Sequence, residues 1–283
     1  MGIGVVEVFS LGFGFCIGSF LNVAIRRGYR GESLFGRSKC ESCGRTLSWR
    51  DLIPVASFFL LRGKCRYCGS AFSLQYPLVE AATGILFAIA AYLFPLDINL
   101  WRPNLHTIII SFVPLILACV GLSAALFAFV VDLRTKIIPD SAFYILFAVG
   151  VAAVSFRWYA ADPNFSSGIF SDAGAALLIS LFFASLWFFS RGQWMGFGDA
   201  KLILATSLAI GFPASIAALL FSFWSGGVVG GVLLLFRRTT LKSTIPFGPF
   251  ILLGSASAYF FSPFFFETTR FLEGIYEIVY YSF

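Results

Sequence analysis

The sequence predicts an all-α protein that crosses a membrane about eight times and carries one small polar domain. Hydrophobic residues make up 59% of the 283 residues, and charged residues only 12%. The mean hydropathy of +0.88 is typical of a chain whose helices face lipid, not of a water-soluble domain. One long polar segment, residues 26–75, interrupts the apolar pattern and contains four of the six cysteines.

A membrane-spanning helix needs about 20 mostly apolar residues. The first candidate lacks the basic start of a secretory signal, so we expect it to be retained. The sixth candidate is the weakest, because it is short and only Gly211, Phe212 and Pro213 separate it from the seventh; if these two form one span, the count falls to seven. The eight candidates are about 3–25, 76–95, 107–131, 141–160, 172–190, 194–210, 213–236 and 246–263.

The basic residues predict the orientation. Cytoplasmic segments of membrane proteins carry an excess of Lys and Arg. Eight spans with both termini outside put all but three of the 20 basic residues on one side, the exceptions being Arg102, Arg157 and Arg270. The net charge of +6 therefore requires no nucleic-acid partner. The basic segment 26–75 either fixes the orientation or contacts anionic lipid headgroups.

The polar segment predicts a zinc site. Cys40-x2-Cys43 and Cys65-x2-Cys68 are each followed by a glycine, and two such hairpins are typical of a tetrahedral structural zinc centre. Two disulfides or a redox pair are the alternatives, which a reducing cytoplasm disfavours. The only histidine, His106, is predicted on the opposite side, so a catalytic zinc is not expected. The remaining cysteines fall within spans and are interpreted as packing residues.

Two aspartates stand at the ends of apolar segments: Asp132 in VVDLRTKIIPD and Asp199 in GFGDAKL. An ionisable residue at membrane depth is costly and points to function. Two carboxylates can share a proton and activate water, as in aspartic proteases. The alternatives are an interfacial Asp132 paired with Arg134 or Lys136, and a membrane-entry turn in which Asp199 pairs with Lys201.

Several nearby residues are possible supporting groups. Gly196 and Gly198 permit close helix approach or local unwinding that admits water to the carboxylate. Lys201 positions substrate, moderates the local field or simply snorkels. Asp140 suits the first turn of the next helix, where a carboxylate complements the helix dipole. Glu80 is a further carboxylate at membrane depth, with an interhelical hydrogen bond as its alternative role.

Five motifs occur in order: GSFLNV at 18–23, the paired CxxC segment, YPLVE at 76–80, the two aspartate motifs, and PFGPF at 246–250. Over residues 18–254 the chain resembles the type IV prepilin peptidases, the bifunctional leader peptidases and N-methyltransferases. No single motif is specific, but five in this order make a chance match improbable.

The resemblance implies that Asp132 and Asp199 form the catalytic pair. It implies cleavage of a basic cytoplasmic leader from prepilins or pseudopilins after a glycine. It also implies methylation of the new N-terminus with S-adenosylmethionine, for which no cofactor-binding residues are identified. The implied location is the bacterial inner membrane, with the zinc domain and the active site facing the cytoplasm.

On this basis we divide the chain into a first transmembrane helix (1–25), a cytoplasmic four-cysteine zinc-binding domain (26–75), a transmembrane peptidase core (76–263) and a C-terminal tail (264–283). Three other functions are consistent with parts of the pattern. The chain can cleave without methylating, it can be an ion- or proton-coupled transporter with membrane carboxylates, or it can be a non-catalytic scaffold with a zinc module.

Overall fold

A computed structural model of the chain describes residues 4–96, 105–160, 167–236 and 245–261. Within these ranges the chain is helical, as the sequence predicts, with a short 3-10 helix at Trp49–Leu52. The α-helices are α1 Val5–Arg30, α2 Ala56–Leu60, α3 Gln75–Leu93, α4 Leu105–Thr135, α5 Asp140–Ala160, α6 Ser167–Ser190, α7 Phe197–Ile210, α8 Ala214–Leu235 and α9 Gly248–Phe261.

All eight predicted spans are helices, but two of them are short. By length and composition, α1, α3, α4, α5, α6 and α8 are the six helices that can cross a membrane, while α9 is among the shorter apolar helices. Helix α7 has 14 residues, so it is about 21 Å long against a hydrocarbon core of about 30 Å. The chain is therefore a multi-pass membrane protein, and within the described residues α7 and α9 are each shorter than the hydrocarbon core is thick.

The predicted break between the sixth and seventh spans is confirmed: α7 ends at Ile210 and α8 begins at Ala214, with Gly211 at a positive φ of 84° between them. One other helix boundary differs from the predicted one in a way that matters for the site. Helix α4 continues to Thr135, so Asp132 lies inside its last turn and not after its end. Lys136, with a φ of 56°, follows this end of α4.

The chain divides into two compact units, Met1–Thr135 and Lys136–Phe283. The four-part division predicted from the sequence stays a prediction, and its tail, 264–283, lies outside the described residues. In the first unit α3 packs against α1 along its length, and α4 contacts both. The shared core consists of Leu21, Ile25 and Val79, covered by Ile17, Leu126, Phe127, Val130 and Val131.

Glycines set the close approach of α1 and α3. A Cβ on Gly18 would lie 2.6 Å from the Cα of Glu80, and a Cβ on Gly14 would lie 2.7 Å from the Cα of Gly84. Gly84 in turn receives the ring of Phe15. Small residues let helix backbones approach closely in a membrane, where packing rather than the hydrophobic effect drives association.

The second unit is built around α7, which packs against α5, α6 and α8. Its buried residues include Leu202, Ile203 and Ala205. On α5, Gly150 faces α7 so closely that a Cβ there would lie 2.8 Å from the Cβ of Leu208. A short helix buried on several sides explains why a single-sided amphipathic pattern is absent from its sequence.

One arginine closes the C-terminal end of α7. Arg157 of α5 donates to the carbonyls of Leu208 and Ala209 at 2.7 and 2.9 Å, carbonyls that the end of a helix leaves without intrahelical partners. Its Nε pairs with Asp172 of α6 at 2.9 Å, and the other oxygen of Asp172 accepts from the Phe212 N–H at 2.7 Å. The pair thus ties α5, α6 and the α7–α8 turn together.

We predict that Gly18→Ala destabilises the protein by about 1–3 kcal/mol, because the added methyl meets backbone atoms of α3 that can move only if the helices separate. Gly12→Ala is the matched control on the same helix, since a Cβ there meets nothing within 4 Å. The control should be neutral or stabilising by up to about 1 kcal/mol. Thermal unfolding in detergent measures both, and equal melting temperatures for the two variants would contradict the packing argument.

Candidate functional site

The four cysteines lie in the polar segment between α1 and α3, residues 31–74, here termed the cysteine lobe. In each CxxC turn the glycine N–H bonds back to the first cysteine carbonyl at 2.9 Å, from Gly44 to Cys40 and from Gly69 to Cys65. Both glycines have positive φ, 68° and 71°, which a residue with a side chain rarely adopts. The two turns are therefore equivalent hairpins.

The hairpins bring the four sulfurs of Cys40, Cys43, Cys65 and Cys68 to within 4.8 Å of one another. The Sγ atoms of Cys40 and Cys68 are 3.8 Å apart, which is about the edge of a tetrahedron with zinc–sulfur bonds of about 2.3 Å. All six cysteines are free thiols in the structure. The cluster can therefore hold a metal ion, and its donor set fits zinc.

Local hydrogen bonds prepare Cys40 for metal binding. A hydrogen bond from the backbone at Cys43 lowers the pKa of the Cys40 thiol to about 6, against the opposing effect of burial, and the Ser70 hydroxyl acts in the same direction. At neutral pH this favours the thiolate, which is the form that binds zinc.

Asp51 organises the rest of the lobe, and sequence reasoning missed it. Its side chain is 2% exposed and pairs with Arg66 at 2.7 Å. It also accepts from the N–H and hydroxyl of Ser48 and from the Tyr67 hydroxyl. Burial acts to raise the pKa of Asp51, but the bonds from Ser48 and Arg66 outweigh it and lower the pKa to about 2. The Ser-x-x-Asp spacing of a capping box was the only signal in the sequence.

Glu80 links the lobe to α3. This residue is 8% exposed, and its Oε2 accepts from the Val55 N–H at 2.7 Å. Val55 has a positive φ of 60°, an uncommon conformation for a β-branched residue. The carboxylate thus joins α3 to a turn of the lobe, a contact that the sequence did not indicate.

Two residues of α1 make such contacts, Asn22 with the start of α3 and Arg27 with the cysteine lobe. The Asn22 amide donates to the Tyr76 carbonyl at 3.0 Å and accepts from the Gln75 side chain at 3.3 Å. Arg27 is 7% exposed, and its guanidinium donates to five consecutive carbonyls, those of residues 33–37. The GSFLNV motif contained Asn22, but nothing in its sequence indicated this contact.

Asp132 lies in the last turn of α4, in the first unit. Only 4% of the residue is exposed, although it follows a run of apolar residues from Ala124 to Val131. Burying a carboxylate there is costly. The end of α4 therefore contains a buried carboxylate directly after an apolar run.

Asp199 lies in the first turn of α7, in the second unit. Its N–H bonds to the carbonyl of Gly196, the N-cap of α7, at 3.2 Å. It is half-buried, and the N-terminal end of a helix stabilises a nearby negative charge. A Cβ on Gly198 would make only ordinary contact with Ile138, at 3.5 Å. Close packing alone therefore does not require glycine at 198.

Lys201 and Asp140 pair with each other at 3.1 Å, with the Asp140 side chain 70% exposed. The Lys201 ammonium also lies over the rings of Phe143 and Phe197, at 5.6 and 5.3 Å from their centroids. Asp140 begins α5, as its position after a proline predicted. These contacts hold the start of α7 against α5.

Two family models match the chain. The family model described as Bacterial Peptidase A24 N-terminal domain matches residues 13–94, and the one described as Type IV leader peptidase family matches residues 119–231. A prepilin leader peptidase/N-methyltransferase of Burkholderia pseudomallei is 30% identical over 293 residues, covering 93% of this chain and 88% of that protein. The chain belongs to the type IV leader peptidase family.

Other members of the type IV leader peptidase family with the same name match almost as broadly. The Bacillus subtilis protein is 30% identical, covering 88% of this chain and 92% of its own length. The Klebsiella pneumoniae protein is 32% identical, covering 74% of this chain and 87% of its own. No solved structure matches the chain. The N-terminal family model includes the four-cysteine cluster and Glu80, and the second includes both aspartates.

We predict that Asp51→Asn destabilises the cysteine lobe by about 1–3 kcal/mol, since it weakens a buried ionic hydrogen bond. A carboxyl group whose pKa is lower in the folded state than in the unfolded state stabilises the fold fully at pH values above its unfolded pKa of about 3.9. This contribution to the free energy of unfolding is lost only as the pH falls through the folded-state pKa. The difference from the parent should therefore stay constant between pH 5 and 8. Amide hydrogen exchange over residues 48–67 measures it.

The control for this experiment is Glu32→Gln, which neutralises an exposed acid in the same lobe. It should leave the exchange of residues 48–67 close to that of the parent. Equal exchange in the Asp51→Asn and Glu32→Gln variants would contradict the role assigned to Asp51.

Proposed function

We propose that this chain is a membrane-embedded aspartic peptidase that removes the leader of type IV prepilins or pseudopilins, cutting after a glycine, and then methylates the new N-terminus. Relatives that align with most of the chain carry the name prepilin leader peptidase/N-methyltransferase. The observation that carries the proposal is Asp132, a carboxylate that is 4% exposed at the end of an apolar span.

In the proposed reaction, Asp132 and Asp199 hold one water between them, with one carboxyl ionised and the other protonated. The ionised carboxylate takes a proton from the water as its oxygen attacks the scissile carbonyl, and the protonated one donates to the developing oxyanion. Collapse of the tetrahedral adduct breaks the C–N bond, and the leaving amine takes a proton from the pair. The two groups titrate as one system, so neither is assigned a fixed role.

The supporting residues hold the chain segments around the proposed catalytic pair in place. Lys201 and Asp140 join the start of α7 to α5 through their ion pair, which holds the GFGD turn in place. Gly196 ends the extended segment before α7 and accepts the Asp199 N–H. Glu80 acts at a distance, by anchoring the cysteine lobe to α3.

We assign the four-cysteine cluster to a structural zinc ion. The sulfur spacing fits a closed tetrahedral site, and all four donors are cysteines, which leaves no open position for a substrate. A lobe of about 45 residues buries too little apolar surface to fold by itself, so the metal would supply folding free energy. The residues that hold it are Cys40, Cys43, Cys65 and Cys68.

S-adenosylmethionine, when bound, supplies an electrophilic methyl group for the second reaction. The chain's part is to bind the donor, to present the newly cut amine to it and to leave that amine deprotonated. Methylation follows cleavage, because the amine does not exist before the peptide bond is broken.

The excess of basic residues in and around the cysteine lobe supports a cytoplasmic orientation in a bacterial inner membrane. The substrate's leader is also basic, so charge attraction to the lobe does not explain recognition. The junction between the apolar substrate helix and its leader is the better candidate, since the substrate can lie beside the lipid-facing surface of the spans.

We predict that Asp132→Asn and Asp199→Asn each lower prepilin cleavage by at least about a hundredfold, the lower range for loss of a general acid or base. Purified protein in detergent and a prepilin-like substrate suffice, with product masses as the readout. Zinc content and melting temperature should match the parent, which separates chemistry from folding.

The control is Asp140→Asn, which removes an exposed ion pair worth less than about 1 kcal/mol. Cleavage by this variant should fall less than about tenfold. If either Asp132→Asn or Asp199→Asn cleaves at the parent's rate, the proposed catalytic pair is wrong. Proton flux in vesicles without any cleavage would favour the transporter.

We predict about one zinc ion per chain, and Cys43→Ser or Cys68→Ser should lower this to a small fraction because a structural zinc site needs its four ligands. Cys119→Ser, in α4, is the matched control and should retain zinc. Metal analysis of the purified chains tests this. Full zinc content in the Cys43→Ser and Cys68→Ser variants would contradict the site.

A further inference from the structure

The first unit contains two cavities that share a wall. The first, here the lobe cavity, has a volume of about 310 Å³ and lies among the end of α1, the cysteine lobe and the start of α3. The second, here the α4 cavity, has a volume of about 440 Å³ and extends to the end of α4. The residues that line both are Asn22, Arg26, Glu41, Ser73 and Tyr76.

The lobe cavity has the chemistry of a site for a charged nucleoside. Phe58, Phe72 and Tyr76 supply aromatic surface, and the carboxylates of Glu41 and Glu80 line the same space. Aromatic faces attract a cation and stack on a base, while a carboxylate can accept from ribose hydroxyls. Ligand pockets measure roughly 300–1,000 Å³, so this cavity suits a small molecule and not a substrate helix.

The wall between the cavities is a hydrogen-bonded triad. Arg26 pairs with Glu41 at 2.9 Å, and the Tyr76 hydroxyl donates to the same Glu41 oxygen at 3.3 Å. The Arg26 side chain is 25% exposed and the Glu41 side chain 47% exposed. Both are long side chains in partly solvated positions, so they can move without disturbing a packed core.

The α4 cavity lies beside the proposed cleavage machinery. Its lining includes Val131, Arg134 and Thr135, which flank Asp132 in the last turn of α4. A substrate peptide that is cleaved beside Asp132 therefore has its new N-terminus close to the α4 cavity. The triad then separates this N-terminus from the lobe cavity.

We propose that the lobe cavity binds the methyl donor S-adenosylmethionine, and that the new amine reaches it through the α4 cavity. This rests on the proposed methyltransferase activity. In the transfer the amine nitrogen, having lost its ammonium proton to solvent, forms a bond to the methyl carbon. The carbon–sulfur bond breaks, and its electron pair stays on sulfur, which leaves as a neutral thioether.

The placement puts the proposed donor cavity in the same unit as Asp132, one member of the proposed catalytic pair. The cysteine lobe provides much of the donor cavity, and α4 provides Asp132. A donor in the lobe cavity and a peptide beside the end of α4 would occupy separate spaces. Only the amine terminus needs to approach the shared wall.

The proposal can be tested by a substitution that places a larger side chain in the lobe cavity. Ser57 on α2 lines the cavity, and its neighbour Ala56 is exposed and outside the lining. Binding of S-adenosylhomocysteine, the unreactive product, is measured by calorimetry on the full-length protein in detergent for the parent, Ser57→Phe and Ala56→Phe. Prepilin cleavage and methyl incorporation are read by mass on the same samples.

We expect Ser57→Phe to weaken binding by at least about tenfold and to reduce methylation, with cleavage close to the parent's. Ala56→Phe should bind as the parent does. Equal binding by Ser57→Phe, with zinc and melting temperature unchanged, would overturn the lobe cavity as the donor site. A parent that cleaves but neither binds nor methylates would overturn the proposed methyltransferase activity, and this inference with it.

A second measurement does not depend on any variant folding. Ultraviolet crosslinking of radiolabelled S-adenosylmethionine to the parent, followed by peptide mapping, should label residues within 38–61 or 70–80. A label confined to the second unit, or one that excess S-adenosylhomocysteine does not displace, would overturn the proposal even if the parent methylates.

Discussion

The close packing of α1 against α3 is the constraint on which the first unit depends. Gly14, Gly18 and Gly84 allow the two backbones to approach, which places Glu80 beside Gly18 in the middle of α1 and Asn22 beside the start of α3. Glu80 then contacts the cysteine lobe at Val55, and Asn22 holds the start of α3. Both cavities have α1 as one wall and the start of α3 as another, so their existence follows from the same helix pair.

A second constraint is the cost of buried polar groups in a chain with so few charges. Arg27, Asp51 and Arg157 each donate or accept several hydrogen bonds to other segments of the chain. Each lies at a turn or a helix end, where backbone groups would otherwise lack partners. Arg27, Asp51 and Asp132 are buried, whereas Arg157 is only partly buried. Arg27, Asp51 and Arg157 stabilise a turn or a helix end, so folding explains their positions, and the proposed catalytic role would account for the burial of Asp132.

The sequence predicted the helices and the four-cysteine cluster, because each depends on residues close together in the chain. It did not predict Asp51 as an organiser of the lobe, since its partner Arg66 is 15 residues away. The same holds for Arg157, whose carbonyl partners are about 50 residues distant. The short length of α7 could be predicted from the glycine and proline residues at its two ends. Its burial on several sides could not, because that depends on tertiary packing and leaves no helical periodicity in the sequence.

The arrangement also bears on why a structural metal would matter to a membrane peptidase whose proposed chemistry needs only carboxylates and water. The lobe contributes Cys40 and its neighbours to the wall of the lobe cavity, so loss of the metal would open this cavity, the proposed donor site, before it disturbed α4. The apolar residues of α4 that precede Asp132 pack on α1 and α3. The two proposed activities therefore rest on separable supports within one unit: metal-dependent folding for methyl transfer, and helix packing for the part of the cleavage site that α4 supplies.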